Sequence, residues 1–200
     1  MMKKTVFGCV LLAASAGAFA QSTANADGPW LVRLRAVHAD SVNKDSTGKD
    51  LSINNKWIAE ADISYFFTPN LAAELILGLP QKFRVSAGGQ PIGSLKGLPP
   101  TLTAQYHFTG LGQIKPYLGA GINYTRFSSV DLLGGLADVK RNSFGPALQA
   151  GVDFAVAKNV YLNLDIKKAW IRTRVSAGGH DLGSFRIDPL LVSVGIGYRF

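Results

Sequence analysis

The strongest constraint on this chain is a two-residue alternation of apolar and polar side chains, sustained over segments of about ten residues and repeated along the sequence. In residues 57–67, Trp57, Ala59, Ala61, Ile63, Tyr65 and Phe67 share one face, and Ile58, Glu60, Asp62, Ser64 and Phe66 share the other. Successive side chains of a strand point to opposite faces, so the run predicts a strand with one apolar and one charged face. The same dyad recurs at 71–79, 101–108, 116–127, 143–156, 160–170 and 187–200, and more weakly at 30–40, which makes eight strands. Beyond the first twenty residues no apolar stretch approaches the ~20 residues of a spanning helix, and a helical membrane protein is excluded.

Alternation alone also suits a soluble sandwich, and the connections separate the two. Short joins at 68–70, 110–115 and 157–159 alternate with long ones at 41–56, 82–98, 128–142 and 172–186. Short and long in strict turn over an even strand number predict an all-β fold, an eight-stranded antiparallel up-and-down transmembrane β-barrel with its turns in the periplasm and its loops outside. Greek-key sandwiches carry no such rule. The aromatics Trp57, Tyr65, Phe67, Tyr106, Phe108, Tyr124, Phe154, Tyr198 and Phe200 stand near strand ends on the apolar face, where rings form girdles at the two membrane interfaces.

Lys3 and Lys4, an apolar run over 6–12 and the small-residue site Ala18-Phe19-Ala20 read as a signal peptide, residues 1–20, cleaved near Ala20. The barrel then occupies 21–200. The single cysteine, Cys9, lies in that leader, so no disulfide is expected in the mature part. The formal charge is +8. An exported chain with no Lys/Arg run longer than two meets no nucleic acid, and its scattered loop cations suit anionic headgroups instead. Lys82, Arg84, Lys96, Arg172, Arg174 and Arg186 are expected at the outer surface against lipopolysaccharide phosphates.

The interior of an eight-stranded barrel is about wide enough for side chains or one small ligand, which disfavours an open porin channel. By phase, Ile58, Glu60, Asp62, Glu74, Gln105, Asn123, Gln149, Asp153, Asp165 and Lys167 face the lumen, as do Arg33, Arg35, His107 and Arg199. Buried charges must pair, so a salt-bridged plug is expected in the periplasmic half. Higher up, Ile58, Ile76, Tyr117 and Tyr161 offer apolar surface inside, either as packing between charged layers or as a pocket for an apolar solute. Pro99 and Pro100, facing Pro80, lack the N–H that a neighbouring strand would accept. They either part the wall into a lateral opening or end their strands in the headgroup layer.

One repeat stands out. Arg84-Val85-Ser86-Ala87-Gly88-Gly89 returns as Arg174-Val175-Ser176-Ala177-Gly178-Gly179, and both copies read as β-hairpins rising above the membrane on opposite sides. His38, His107 and His180 carry no triad or metal-ligand spacing, so neither catalysis, a cofactor nor a metal is expected.

The segments Leu98-Pro99-Pro100-Thr101-Leu102, Pro116-Tyr117-Leu118-Gly119-Ala120-Gly121-Ile122-Asn123-Tyr124-Thr125 and Asp188-Pro189, with the ending Gly197-Tyr198-Arg199-Phe200, closely resemble the OmpW family of small outer-membrane barrels, related to alkane-uptake barrels. The resemblance covers essentially the whole mature chain. It implies a Gram-negative outer-membrane protein that is no enzyme and passes small hydrophobic molecules passively. The alternating ending, with Tyr198 and Phe200, resembles the signal read by the barrel-assembly machinery. The competing reading is a plugged structural or adhesive barrel that uses its protruding loops.

Overall fold

A computed structural model describes residues 28–200; the leader expected at 1–20 lies outside the described residues. In chain order the strands are β1 (Trp30–Asp40), β2 (Lys44–Asp45), β3 (Leu51–Ile53), β4 (Lys56–Phe66), β5 (Leu71–Gly78), β6 (Gln81–Ala87), β7 (Gln90–Leu98) and β8 (Thr101–His107). They continue as β9 (Ile114–Leu132), β10 (Ala137–Val139), β11 (Asn142–Ala157), β12 (Val160–Ala169), β13 (Arg172–Ala177), β14 (His180–Arg186) and β15 (Leu190–Arg199).

Eight of these close a barrel. Antiparallel ladders run β1-β4-β5-β8-β9-β11-β12-β15, and β15 returns to β1 with Leu31 opposite Arg199 and Asp40 opposite Leu190. The Phe200 and Trp30 backbones exchange both of their bonds, at 2.8 and 3.0 Å, and so complete the rim at the turn end. Closure leaves no strand edge in lipid, where an unpaired backbone group costs several kcal/mol. Two sets of rings mark the interfaces. Trp30–Tyr65, Tyr65–Phe67 and Tyr106–Phe108 make edge contacts at the turn end, while Tyr124–Phe144 and His38–Trp57 lie towards the loop end.

The stretches expected as loops are built differently. They form a second tier in the order β3-β6-β7-β9-β10-β13-β14-β2, stacked on the first. The two repeat hairpins do stand on opposite sides, but as parts of this ring and not as separate extensions. Each turns through a Gly pair at positive φ, 54° and 77° at Gly88-Gly89 and 56° and 81° at Gly178-Gly179, the requirement of a tight primed turn. Each also carries a bulge, next to Gly93 and Gly183. A Cβ on Gly93 would meet the Asp131 carbonyl oxygen of β9 at 2.0 Å, so only glycine permits β7 to reach β9 there.

Between β2 and β3 the ring closes through side chains. The Asn43 amide donates to the Ile53 carbonyl at 3.2 Å and accepts from its N–H at 3.0 Å, imitating a ladder pair. The Asp45 carboxylate accepts N–H bonds from Thr47, Lys49 and Leu51. Some burial pushes the Asp45 carboxyl up, but these bonds outweigh it and hold it below the usual carboxylate range.

Candidate functional site

The lower lumen is filled by ion pairs. Arg33 enters from β1, and its Nη1 lies 3.1 Å from both Asp62 Oδ1 and Glu74 Oε1, while Nη2 lies 2.7 Å from Asp153. One turn of the pleat above, Arg35 meets Asp62 at 2.9 Å, Glu74 at 3.0 Å and Glu60 at 3.4 Å. Five planar donors let a guanidinium bridge carboxylates from several strands at once, which a lysine ammonium does less well. Lys167 tops the layer with its Nζ 3.0 Å from Glu60.

Neutral side chains complete the mesh. Gln105 donates to Glu74 at 2.7 Å, Gln149 to Asp165 at 2.8 Å and Asn163 to Asp153 at 2.8 Å. Tyr117 donates to Asp165 at 2.7 Å, and its ring stacks on His107 at 4.9 Å. Tyr117 therefore belongs to the plug and not to an apolar surface higher up. Tyr161 sits lower still, clustered with Leu31, Phe66 and Ala72 near the turns, because it follows the tight 158–159 connection by two residues. Ile58 and Asn123 line the space above the plug, whereas Ile76 stands directly opposite Asp62, one inward position below Glu60, and belongs to the plug's level. Asn123 bonds to Thr101, Thr125 and the Pro99 and Pro100 carbonyls.

Above Glu60 and Lys167 the chemistry changes. An internal cavity of about 70 Å³ has that ion pair in its floor and Ile53, Ile58, Phe83, Phe127, Ile171 and Ile187 among its walls. Over it, Val85, Leu95, Leu132, Val139, Val175 and Phe185 pack inside the upper ring. A wider basin of about 510 Å³ opens at the mouth between Thr47–Leu51, Ile92, Leu133 and Leu182. Most of these apolar residues were not among the sequence candidates. Their signal was present in short alternating pieces such as Leu51-Ser52-Ile53 and Arg84-Val85, where the apolar residue points in and the polar one out.

The junctions between the two tiers differ in how they are bridged. From β8–β9 to β7–β9, the Tyr124 N–H donates to the Pro100 carbonyl at 3.0 Å. From β1–β15 to β2–β14, the Val42 N–H reaches Ile187, and from β11–β12 to β10–β13, the Trp170 N–H reaches Pro146 and the Lys140 N–H reaches Arg174. The break at Pro189 is bridged by Asp188, whose carboxylate accepts the Ile171 N–H at 2.9 Å. Asn55 takes the Ser41 N–H at 3.1 Å between β1 and β4.

One region differs. The β4–β5 ladder ends at Glu60 opposite Gly78, and pairing resumes only where the Asn54 N–H meets the Arg84 carbonyl at 3.3 Å. The β5–β8 ladder ends at Ile76 opposite Thr101 and resumes at Gln81 opposite Gly97. Leu79 and Pro80 thus have no ladder partner on either side. Among the described residues the only hydrogen bond across the wider break is from Lys56 Nζ to the Lys82 carbonyl, 3.3 Å. Ile58, Phe83 and Pro99 line the cavity behind it, and Trp57 and Leu79 stand outside, 64% and 69% exposed.

Residues 31–200 match the OmpW family model. The chain belongs to the OmpW family. It is 44% identical over 184 residues to an outer-membrane protein of Sinorhizobium fredii, covering 86% of this chain and 80% of that one. With outer membrane protein W of Vibrio cholerae it shares 33% identity over 100% of both chains. A protein of a dibenzothiophene metabolism operon in Pseudomonas aeruginosa is 29% identical, covering 87% of this chain and 90% of its own. Among solved structures, OprG of Pseudomonas aeruginosa superposes with a TM-score of 0.74 at 21% identity, covering 87% of this chain and 97% of OprG. AlkL, solved in lipid bilayers, superposes at 0.68 with 24% identity, covering 90% and 94%. The protein is accordingly an OmpW-family β-barrel of the Gram-negative outer membrane, from a non-enzymatic barrel family, and it shares the fold of OprG and AlkL.

Proposed function

We propose that this OmpW-family barrel is a passive conduit for small hydrophobic molecules, which enter at the apolar mouth and leave sideways into the bilayer. The observation that carries the reading is the unpaired wall around Leu79 and Pro80, beside the apolar cavity and directly above a lumen blocked by ion pairs. A straight path to the periplasm would have to break the buried Arg33, Arg35 and Lys167 pairs, whereas the sideways path crosses Ile58, Phe83, Trp57 and Leu79. A hydrophobic solute is more stable in the bilayer than in water, so lateral release is downhill. Similarity to a protein of a dibenzothiophene metabolism operon fits an apolar cargo. A closed structural or adhesive barrel would share the plug but has no use for the break in the wall.

On this reading the lumen residues divide in two. Glu60, Asp62, Glu74, Ile76, Gln105, Tyr117, Gln149, Asp153, Asp165 and Lys167, with Tyr161 beneath, form the seal, while Ile58 and Asn123 lie on the solute's side and Pro80, Pro99 and Pro100 hold the exit open. Residues 1–20 are a leader removed near Ala20, and Tyr198 and Phe200, both outward-facing, present the alternating mark that the assembly machinery reads.

The test is a thiol-cleavable cross-link between I58C and F83C in protein reconstituted into vesicles. Uptake of an apolar aromatic such as naphthalene should fall at least tenfold and return on reduction. Unchanged uptake in the cross-linked protein refutes the lateral route.

A further inference from the structure

The outer surface carries a cation row that the transport reading leaves unused. Arg172 on β13 stands directly opposite Arg186 on β14, and Arg186 directly opposite Lys44 on β2. All three point outward and are exposed. Directly opposed residues of an antiparallel pair have Cβ atoms about 5 Å apart, and like charges so placed repel. Here two such pairs are consecutive, and none of the three has a carboxylate within ion-pair distance among the described residues.

Beside the row is a surface groove of about 550 Å³, lined by Lys140, Arg172 and Arg174 together with Asn142, Ser184, Tyr124 and Phe144. Of its three cations only Arg174 is paired, with Asp181 at 3.1 Å and exposed on both sides. The height of the groove is informative. Trp170 is one outward position before Arg172, so the row lies about 7 Å beyond that ring along the strand. Tyr124 and Phe144, 6.2 Å apart, form the lower lip. Aromatic rings of this kind sit at the headgroup level, which puts the cations level with the phosphates of the outer leaflet.

We propose that Lys44, Arg186 and Arg172, with Lys140 and Arg174 beside them, form a specific binding site for the phosphorylated disaccharide headgroup of an outer-leaflet glycolipid, the lipid A part of lipopolysaccharide. Guanidinium groups bind phosphate through paired charge-assisted hydrogen bonds, and two of them opposed across a ladder suit a dianion better than a single charge. Asn142 and Ser184 supply neutral hydrogen bonds for sugar hydroxyls, and Tyr124 and Phe144 an apolar lip where acyl chains begin. A free phosphate ion would use the cations but not the lip. The proposal rests on the outer-membrane placement and not on transport, and its test reads lipid binding and not uptake.

The experiment uses purified protein in nonionic detergent, with thermal unfolding and native mass spectrometry read together. Bisphosphorylated lipid A should raise Tm and remain bound, whereas the same lipid with its phosphates removed, and inorganic phosphate at equal concentration, should do neither. R172Q/R186Q should weaken lipid A binding at least tenfold. Without lipid its Tm should equal or exceed that of the parent, because the repulsion is gone, and this reports that the variant folds. K82Q/K96Q removes the other directly opposed like-charged pair, which can meet headgroup phosphates only as diffuse surface charge because it lines no part of the groove, and should leave affinity within twofold. The site is refuted if R172Q/R186Q binds as the parent does, if K82Q/K96Q loses as much, or if the unaltered protein binds dephosphorylated lipid A or free phosphate equally well.

Discussion

Strand β9 passes through both tiers, and its two halves are patterned in opposite senses. In the lower half Leu118, Ile122 and Tyr124 face out while Asn123 and Thr125 are buried inside; in the upper half Arg126 and Asp131 face out while Phe127 and Leu132 are buried. The chain from β12 to β13 repeats the inversion, from Ile166 outside and Lys167 inside to Ile171 inside and Arg172 outside. The strand geometry is continuous and the solvent is what changes. Where lipid is outside, apolar groups gain nothing by turning inward and the polar ones need partners in the lumen. Where water is outside, the ordinary hydrophobic effect returns and fills the ring with Val, Leu, Ile and Phe. The inversion at Thr125–Arg126 therefore marks the outer boundary of the bilayer, and the apolar cavity begins where the polar seal ends.

The contrast predicts that the tiers fail differently. The largest effect belongs to R33L, which leaves Asp62, Glu74 and Asp153 buried without their shared cation. Stripping one partner from a buried ion network costs about 3–5 kcal/mol, and urea unfolding in vesicles should register a loss of this size. A loss below about 1 kcal/mol would mean that the lower tier is held by its ladders and not by the plug. Next, L95A in the ring should cost roughly 2–3 kcal/mol, the low end for such truncations, because the basin beside it lets neighbours relax. Its signature is local: faster proteolysis at the Gly88-Gly89 and Gly178-Gly179 tips with the barrel amides still protected from exchange. Equal loss of protection in both tiers would show that they unfold as one unit.

The smallest effect concerns the side-chain seam at Asp45. Because its carboxyl is held below the ordinary aspartate range, the seam's contribution is complete above the unfolded value near 4 and is lost as pH falls through the lower folded value. Measured against the intrinsic rate at each pH, hydrogen-exchange protection of the Thr47, Lys49 and Leu51 amides should fall below about pH 4, while that of the β1 and β15 amides does not change. Constant protection down to pH 2 would assign the closure to Asn43 alone.

How much of this was legible follows from the range of each signal. The lumen phase of Glu60, Asp62, Glu74, Gln105, Gln149, Asp153, Asp165 and Lys167 is a local property, since a neighbour two residues away reports the same face. Height is not local in this way. Tyr117 and Tyr161 had the right phase for the lumen, yet their level depends on distance from the nearest turn and on the shear of the barrel, which carried them into and below the plug. The ring was harder still. β2, β3 and β10 have two or three residues each, too few for a period to show, and their partners lie far away, as with Phe185 opposite Asp45 and Ala137 opposite Ala177.

The prolines divide the same way. Pro80, Pro99 and Pro100 announce missing donors, and so does Pro189, but the backbone around Pro189 is bridged by Asp188 while that around Pro80 is not. By itself the sequence determined the strand number, which face meets lipid and which residues must pair inside, because each of these is written in a two-residue period. Only the tertiary structure decided which breaks in the ladder are healed and that four apparent loops close into a second ring. Both depend on which distant side chain comes within hydrogen-bond reach, and that is set by the register of the closed sheet.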